Sequence, residues 1–225
     1  MSSSSTEWNW YWRHQNSDRH LYGQIASFYR RRIIAPSLRR TLSRLIREGD
    51  SLLHIGAGSG ELDVTLPISW SLISLDFSSA ALERHRANHQ REARESKAVQ
   101  GDLFQMPFTD LSFKVVFNLG LMEHLTDKEV VLALKEMQRV AQVGGSVVLY
   151  WPPVWGPSVI FLHTLARLFQ VIREAPERLH PPEINLFRSR KATQTLLREL
   201  GFDDVTFLYG IGDLFTHVVV IARKL

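Results

Sequence analysis

The sequence predicts an α/β fold built on a doubly wound, mostly parallel sheet. The chain has 225 residues and no cysteine, so it is long enough to bury a core without disulfides. Strand-like apolar runs alternate with helix-like segments between residues 51 and 151, as in parallel strands joined by crossover helices. A glycine-rich loop, 56–60, follows the first run, which is where open α/β sheets bind ligands.

The predicted elements of this core follow one another regularly. Strands are expected at 51–55, 71–75, 97–100, 113–118 and 145–151. Helices are expected at 79–95 and 127–141, with a short helix after the glycine loop. A helix at 189–200 and two strand-like runs, 203–210 and 215–223, are predicted to end the chain as a hairpin.

Two helices are expected before the core. The helical pattern from Leu21 to Glu48 is interrupted at Pro36, a residue suited to the first turn of a second helix, which we expect to end at Gly49. Residues 1–17 are rich in serine and tryptophan and too irregular for a domain. We expect them to fold over another part of the molecule.

Composition excludes several classes of chemistry. Without cysteine, no thiol nucleophile, cysteine-ligated zinc or iron–sulfur cluster is available. No signal peptide or apolar window of about 18 residues is present, which predicts a cytoplasmic protein without a transmembrane segment. Residues 1–50 carry nine arginines against four acidic residues, whereas the whole chain has a net charge of +4. This basic segment fits either a solvated helix face or an anionic substrate, nucleic acid or membrane.

The glycine loop and the strand after it indicate a nucleoside ligand. Gly56, Gly58 and Gly60 have the spacing G-x-G-x-G, whereas a dinucleotide fingerprint would need glycine in place of Glu61, and a P-loop would need Lys and Ser or Thr. Asp76 ends the second strand, where a carboxylate can accept hydrogen bonds from both ribose hydroxyls.

Two residues extend the predicted nucleoside site. Phe77 follows the second strand, and its ring is placed to cover an adenine face. Asp102 follows the third strand, where its carboxylate could accept a hydrogen bond from an exocyclic amine. Each element is weak alone, but together and in this order they predict the site.

Two further stretches complete a pattern shared with a known family. Residues 101–113 are similar to G-D-A-x-x-L-P-F-x-D-x-S-F, and 118–125 resemble a segment after a fourth strand. Over about residues 50–151 the sequence resembles the class I S-adenosylmethionine-dependent methyltransferases, in the branch of the ubiquinone and menaquinone biosynthesis enzymes (methyltransferase type 11 domain). The cofactor-binding residues that this implies are Gly56, Ala57, Gly58, Gly60, Asp76, Phe77, Asp102, Leu103 and Asn118.

The resemblance also implies an architecture and a cofactor. The fold would be Rossmann-like, with a seven-stranded sheet whose last strand is antiparallel. The expected single domain, 1–225, would comprise a helical cap (1–49), a cofactor-binding core (50–151), a lid or substrate insertion (152–188), and a closing helix and hairpin (189–225). The cofactor would be S-adenosylmethionine and the product S-adenosylhomocysteine, without a metal.

Two residues depart from the family pattern. His54 stands where the family usually has Asp or Glu, two residues before the first glycine, and Lys114 replaces a common Asp. The usual acid helps to hold the amino-acid end of the cofactor, so a neutral imidazole there would weaken binding unless backbone carbonyls take its place. Lys114 lies at the entry of a strand, where exposed residues are common.

His124 is the candidate catalytic base. Methyl transfer from a sulfonium is an in-line displacement that mainly needs alignment, and a neutral nucleophile must also lose a proton. His124 follows the fourth strand, although a histidine there also fits a purely structural bond to the backbone. His85 and His89 have metal-ligand spacing, but their helix is rich in arginine, which disfavours a metal.

The expected acceptor side is apolar. An apolar helix at 158–172 could be a lid, a dimer contact or a helix packed on the sheet. By resemblance, the candidate substrate residues are Tyr22, Tyr29, Trp151 and Trp155. Aromatic residues there would suit a hydrophobic or cationic small molecule.

Three functions follow from these observations. The favoured one is methylation of a small, largely apolar metabolite. The second is nucleic-acid methylation through the N-terminal arginines, which is disfavoured because no Asn/Asp-Pro-Pro-aromatic motif and no cysteine are present. The third is a non-catalytic binding or scaffold subunit, suggested by His54 and the tryptophan-rich N-terminus. A homodimer remains compatible with each.

Overall fold

The computed structural model describes residues 5–14, 21–156, 164 and 183–225. One seven-stranded sheet has the strand order β3-β2-β1-β4-β5-β7-β6. Its strands are β1 (Ser51–Ile55), β2 (Ser71–Asp76), β3 (Ala98–Gln100), β4 (Phe113–Leu119), β5 (Ala141–Trp151), β6 (Phe202–Leu208) and β7 (Val218–Lys224). The α-helices are α1 (Ser5–His14), α2 (Leu21–Tyr29), α3 (Ala35–Leu42), α4 (Ser79–Arg91), α5 (Asp127–Val140) and α6 (Arg190–Glu199).

The direction of the strands confirms the predicted fold. β1 pairs in parallel with β2 and β4, and β4 pairs in parallel with β5. β7 is antiparallel to both β5 and β6. The strand order reverses between β1 and β4, so this sheet has its switch point, the usual ligand site of open α/β sheets, beyond the carboxyl ends of these two strands.

Two apolar layers cover the two faces of the sheet. On one face, α5 and α6 pack with Val130, Leu134 and Leu197 against residues such as Val116. On the other face, α3 packs with Leu38 and Leu42 against residues such as Phe117 and Tyr150. The central strands are therefore buried on both sides, which explains why their sequences are nearly continuous apolar runs.

Local signals explain where the core helices begin. The Thr126 side chain accepts a hydrogen bond from the Glu129 N–H, and the Glu129 carboxylate accepts from the Thr126 N–H, which forms a capping box at the start of α5. The Ser78 hydroxyl caps α4 by accepting a hydrogen bond from the Ala81 N–H, and the Ser189 hydroxyl caps α6 by accepting one from the Ala192 N–H.

The N-terminal helices differ from the sequence expectation. Pro36 does not separate two helices, because the chain stays helical from α2 through a π-helical turn, Arg30–Ile34, into α3. The Ala35 N–H bonds the Arg30 carbonyl, and this wider turn accommodates the missing N–H of the proline that follows. The helix also ends at Leu42, before the predicted end at Gly49.

Three other boundaries also differ. The segment expected to be irregular contains the helix α1, whose contacts with α4 are described below. The short helix after the glycine loop is a single 3-10 turn, Asp63–Thr65. β5 begins at Ala141 instead of 145, since it continues directly from α5.

The predicted lid lies largely outside the described residues. Of 152–188 the structure describes 152–156, Thr164 and 183–188, so the apolar helix expected at 158–172 is not described. The division of the chain into four segments therefore stays a prediction. Among the described helices, none has both the length and the apolar character needed to span a bilayer.

Candidate active site

A cavity of about 410 Å³ opens at the switch point of the sheet. Its walls come from the glycine loop, the end of β2, the segments after β3 and β4, and α1. The residues that line it are Trp8, Trp12, Ile55, Gly56, Gly58, Leu75, Asp76, Phe77, Gly101, Asp102, Leu103, Phe104, Gly120, Leu121, His124 and Leu125. Volumes of this order are typical of small-molecule and cofactor sites.

Asp76 is the buried carboxylate of the cavity, with 6% of its surface exposed. Its Oδ2 accepts from the Gly58 N–H at 2.8 Å and its Oδ1 accepts from the Ser78 N–H at 2.9 Å. Burial raises the pKa of Asp76 above its ordinary value, while these two hydrogen bonds act in the opposite direction. A carboxylate has about four acceptor sites, so roughly two remain for hydroxyl groups of a ligand.

The segment after β3 supplies a second carboxylate. Asp102 is exposed, lines the cavity, and accepts from the Phe104 N–H at 2.8 Å, which holds the turn. Phe77 and Leu103 line the same cavity. These side chains provide apolar surface and one acceptor, a combination suited to a purine with an exocyclic amine.

His124 lies at the other side of the cavity, in a 3-10 turn after β4. It is 3% exposed, and its ring packs edge-to-face on the Trp8 ring with centroids 5.0 Å apart. Its backbone N–H bonds the Leu121 carbonyl at 3.0 Å. The turn therefore presents the imidazole to the cavity, where a base for an acceptor would be needed.

Helix α1 forms a wall of the cavity, and its residues were missed as site residues. Trp8 and Trp12 line it, and a Cβ added at Gly58 would lie 2.7 Å from the Trp12 ring. Asn9 Oδ1 accepts from the Ser78 hydroxyl at 2.7 Å, which ties α1 to the start of α4. The cluster of tryptophans at the N-terminus was the available signal, but it did not indicate which surface they cover.

A polar network lies behind the glycine loop. His54 Nδ1 is 2.7 Å from Asp63 Oδ1, and His85 Nε2 is 3.1 Å from Asp63 Oδ2, which also accepts from Ser74 at 2.7 Å. Burial by itself would raise the pKa of Asp63, but the charges and hydrogen bonds of the two histidines outweigh it and hold that pKa well below the ordinary value. His54 therefore has a carboxylate partner of its own, and it does not line the cavity.

Glu123, the residue before His124, is a second unusual carboxyl group. It is 5% exposed, and its Oε2 has no hydrogen-bond partner among the described residues. Burial, assisted by the nearby Glu183, raises the pKa of Glu123 from 4.5 to about 8. The group is therefore mainly protonated at neutral pH, and sequence reasoning did not select it.

Three residues implied by the resemblance do not line the cavity. Ala57 and Gly60 belong to the loop but are not among the residues that line the cavity, and Asn118 is fully buried near the end of β4. Neither amide atom of Asn118 has a hydrogen-bond partner within the described part of the chain. The assignment of these three residues to the cofactor stays a prediction.

Three of the four candidate substrate residues, Tyr29, Trp151 and Trp155, do not line the cavity either. The Tyr29 hydroxyl donates to the Asp213 carbonyl at 3.2 Å. Trp151 is buried and donates to the Asn185 carbonyl at 2.6 Å, and the half-exposed Trp155 packs on Phe187. The side chain of Tyr22 lies outside the described residues.

His85 and His89, the pair with metal-ligand spacing, contact each other within the fold. The rings of His85 and His89 stack with centroids 4.1 Å apart, and His89 Nδ1 contacts the His85 carbonyl at 2.9 Å. The ranges that the structure describes contain no group of three or more His, Asp or Glu side chains able to hold a metal ion.

The donors present fit S-adenosylmethionine. Trp12 leaves no room for a side chain at Gly58, so the loop backbone itself borders the cavity. Asp76 retains acceptor capacity toward ribose hydroxyls, and Asp102 with its apolar neighbours suits an adenine. These features are the ones expected of a nucleoside-binding site.

Comparison with known proteins identifies methyltransferases that are similar in sequence to this chain. Residues 53–149 match the methyltransferase domain family. The chain is 29% identical over 180 residues to a demethylmenaquinone methyltransferase of Roseiflexus castenholzii, covering 73% of each chain. It is also 29% identical over 148 residues to an rRNA adenine N-6-methyltransferase of Bacteroides fragilis, covering 61% of this chain and 53% of that one. The chain thus spans about half to three quarters of these relatives.

Solved structures show the same fold at lower identity. A SAM-dependent methyltransferase of Methanosarcina mazei has a TM-score of 0.62 with 20% identity, covering 82% of this chain and 97% of that one. A SAM-dependent methyltransferase of Thermotoga maritima has a TM-score of 0.63 with 18% identity, covering 96% and 98%. Both TM-scores show that these proteins share the fold of this chain.

Proposed function

We propose that this chain, whose residues 53–149 match a methyltransferase domain family, is a class I S-adenosylmethionine-dependent methyltransferase that transfers a methyl group to a small, largely apolar metabolite. The observation that carries the proposal is the cavity at the switch point, which has Asp76 on one side and His124 on the other. The first is suited to a ribose and the second to an acceptor that must lose a proton.

The cofactor would be held by residues of the core. Asp76 would accept from the ribose hydroxyls, and Asp102 would accept from the adenine amine beside Phe77 and Leu103. The backbone of Gly56 and Gly58 would border the amino-acid end. The bound cofactor would supply a methyl group on a positively charged sulfur, so its leaving group is already activated.

The chain itself would contribute alignment and a base. Positioning of the acceptor against the cofactor can contribute about 7–11 kcal/mol without any covalent intermediate. His124 would accept the proton that an O–H or N–H acceptor loses, which is worth roughly 10²–10⁴-fold in rate. Trp8, packed on the His124 ring, would hold that ring in place and exclude water.

The apolar acceptor is supported by the walls around His124. Leu121, Leu125 and Trp8 line the cavity beside His124, and apolar walls favour an apolar ligand. The relatives named demethylmenaquinone methyltransferase agree with such an acceptor. Binding of an rRNA acceptor is the alternative, since one relative carries that name.

Cofactor binding is tested by thermal unfolding of the whole chain. At about 100 times the dissociation constant, S-adenosylmethionine or S-adenosylhomocysteine should stabilise the protein by about 2.7 kcal/mol, roughly 5–10 °C in Tm. We expect Asp76→Ala to abolish the shift, and the exposed Asp203→Ala to retain it. No shift in the wild type at millimolar ligand would overturn the proposal and favour a scaffold role.

The acceptor is tested by labelled methyl transfer. Reduced naphthoquinones that lack one ring methyl group and structured rRNA are compared as acceptors. We expect label only in the small molecule, and His124→Asn should lower kcat about 10²–10⁴-fold while the thermal shift with cofactor persists. Label in rRNA alone would replace the apolar acceptor, and unchanged kcat would remove His124 as the base.

A further inference from the structure

We infer that the protein docks on an anionic lipid surface through an apolar patch flanked by arginines. The patch, called the docking patch here, consists of Ile25 and Phe28 on α2 and Ile211, Leu214 and Phe215 in the β6–β7 connection. The inference goes beyond methyl transfer and does not require it.

The two halves of the docking patch are in contact. The hydroxyl of Tyr29, the residue after Phe28, hydrogen-bonds Thr216 Oγ1 and the Asp213 carbonyl. The π-helical turn that follows α2 also contacts the 3-10 turn Ile211–Asp213. The apolar side chains of α2 and of the β6–β7 connection therefore belong to one surface.

The docking patch is strongly exposed. Phe28 is 64% exposed and Ile211 is 78% exposed, and large apolar side chains gathered at one exposed place indicate an interaction site. Other exposed apolar residues, such as Ile68 and Leu225, are at least ten residues along the chain from the next exposed large apolar residue. Isolated residues of that kind are ordinary on protein surfaces.

The backbone of the β6–β7 connection holds these side chains outward. Leu214 and Phe215 both have left-handed backbone angles, with φ of +53° and +60°, which is strained for bulky residues. The Asp213 carboxylate accepts from the His217 N–H at 3.0 Å, and the Phe215 N–H bonds the Gly210 carbonyl at 2.9 Å. These bonds fix the strained conformation, which is typical of a functional loop.

Arginines flank the apolar side chains. A Cβ added at Gly212 would lie 3.5 Å from a guanidinium nitrogen of Arg40, so the arginine face of α3 reaches the docking patch. Five exposed arginines lie in the π-helical turn, in α3 and in the residues just after it, and none of them forms an ion pair with a described residue. They are Arg32, Arg39, Arg40, Arg44 and Arg47. An apolar centre with basic margins is complementary to a leaflet of anionic lipid.

The docking patch lies at the same end of the sheet as the cavity, beyond the carboxyl ends of the parallel strands. Leu208, which ends β6, is paired with Val219 of β7, and Val219 is paired with Tyr150 near the end of β5. Tyr150 is in turn paired with Leu119 at the end of β4. The end of the sheet that faces the membrane would therefore be the end where the cavity opens. An apolar acceptor dissolved in lipid would enter the cavity there.

Two other occupants fit less well. Single-stranded nucleic acid prefers aromatic stacking surfaces, whereas three of the five residues of the docking patch, Ile25, Ile211 and Leu214, are aliphatic. A twofold contact with a second copy would place arginines of both copies near one another, which like-charge repulsion disfavours. A lipid surface satisfies both the apolar centre and the arginines.

The experiment is flotation of the whole chain with phosphatidylcholine vesicles, with and without about 30% phosphatidylglycerol, which supplies the anionic surface. We expect binding only to the anionic vesicles. Arg32→Gln/Arg40→Gln/Arg44→Gln should lower the partition coefficient about a hundredfold, since each arginine near such a surface contributes about fivefold. Phe28→Ser/Ile211→Ser should lower it at least about tenfold.

Matched controls separate docking from general charge and exposure. Arg86→Gln/Lys191→Gln/Arg198→Gln removes the same charge elsewhere, and Ile68→Ser/Leu225→Ser removes similarly exposed apolar side chains. Both should bind like the wild type, and all variants should keep the thermal shift with S-adenosylmethionine, which reports the cofactor site separately. Absence of binding to anionic vesicles, or equal losses in the controls, overturns the inference. So does a dimer that Phe28→Ser/Ile211→Ser dissociates while vesicles remain unbound.

Discussion

Two buried aspartates flank the glycine loop, and only one of them faces the cavity. Asp63 is 2% exposed and contacts two imidazoles, whereas Asp76 is 6% exposed and contacts two backbone N–H groups. The pKa of Asp63 is lowered and that of Asp76 is raised. Asp76 is therefore the aspartate suited to bind a ligand, because it borders the cavity and keeps acceptor sites that its two N–H partners do not use.

The largest expected effect follows from removal of Asp63. Asp63→Ala would leave His54 and His85 buried without their partner, so the free energy of unfolding should fall by about 3–5 kcal/mol. Because the folded-state pKa is lowered from the ordinary 3.8, this stabilisation is present above about pH 4 and is lost as pH falls through the lower folded-state value.

Denaturant unfolding between about pH 2 and pH 7, a range that begins below the ordinary pKa of 3.8, measures both the loss at neutral pH and its pH dependence. Asp203→Ala, at an exposed position, should change stability by less than about 0.5 kcal/mol. Equal stability of Asp63→Ala and the wild type at neutral pH would mean that the network behind the loop is not structural.

Substitution of two glycines of the loop, Gly58 and Gly60, should have different effects on cofactor binding and on stability. A Cβ at Gly60 would lie 2.3 Å from the buried His85 ring, whereas one at Gly58 would meet Trp12 of α1. Gly60→Ala should therefore cost at least about 2 kcal/mol of unfolding free energy. Gly58→Ala should instead weaken S-adenosylmethionine binding about tenfold or more, because the added methyl group displaces a cavity wall.

Gly49→Ala is the matched control for this pair. Gly49 also has a positive φ, of +86°, but nothing lies within 4 Å of an added Cβ, so only the backbone strain of about 1 kcal/mol remains. Calorimetric titration and denaturant unfolding give both quantities. If Gly58→Ala binds the cofactor normally, Trp12 and Gly58 do not form the proposed wall.

A further expected effect concerns Glu123, which lacks the partners that hold the two aspartates. Its folded-state pKa is raised from 4.5 to about 8, so the wild type should lose stability as pH rises between these values. Glu123→Gln resembles the neutral acid and should lack this loss. Since one pH unit corresponds to about 1.4 kcal/mol, the variant should be the more stable at pH 9 by at least about 1 kcal/mol. Parallel pH profiles would contradict the assignment.

The sheet and part of the site could be predicted because their signals are local. The strands are continuous apolar runs, and the loop 56–60 and Asp76 stand in a fixed order along one strand–loop–strand unit. The helix through Pro36 could not be predicted, since a π-helical turn depends on packing of that helix against the sheet. For the same reason the candidates Tyr29 and Trp151 satisfy hydrogen bonds within the fold instead of lining the cavity.

The sequence by itself determined the class of fold, the glycine loop and the acid expected at the ribose, since each depends on residues close together in the chain. Only the tertiary structure decided that Asp63 supplies a carboxylate to His54, and that Trp8 and Trp12 close the cavity over the loop. These contacts join residues of different elements. Their geometry follows from how α1, the glycine loop and α4 pack together, which no local pattern of residues specifies.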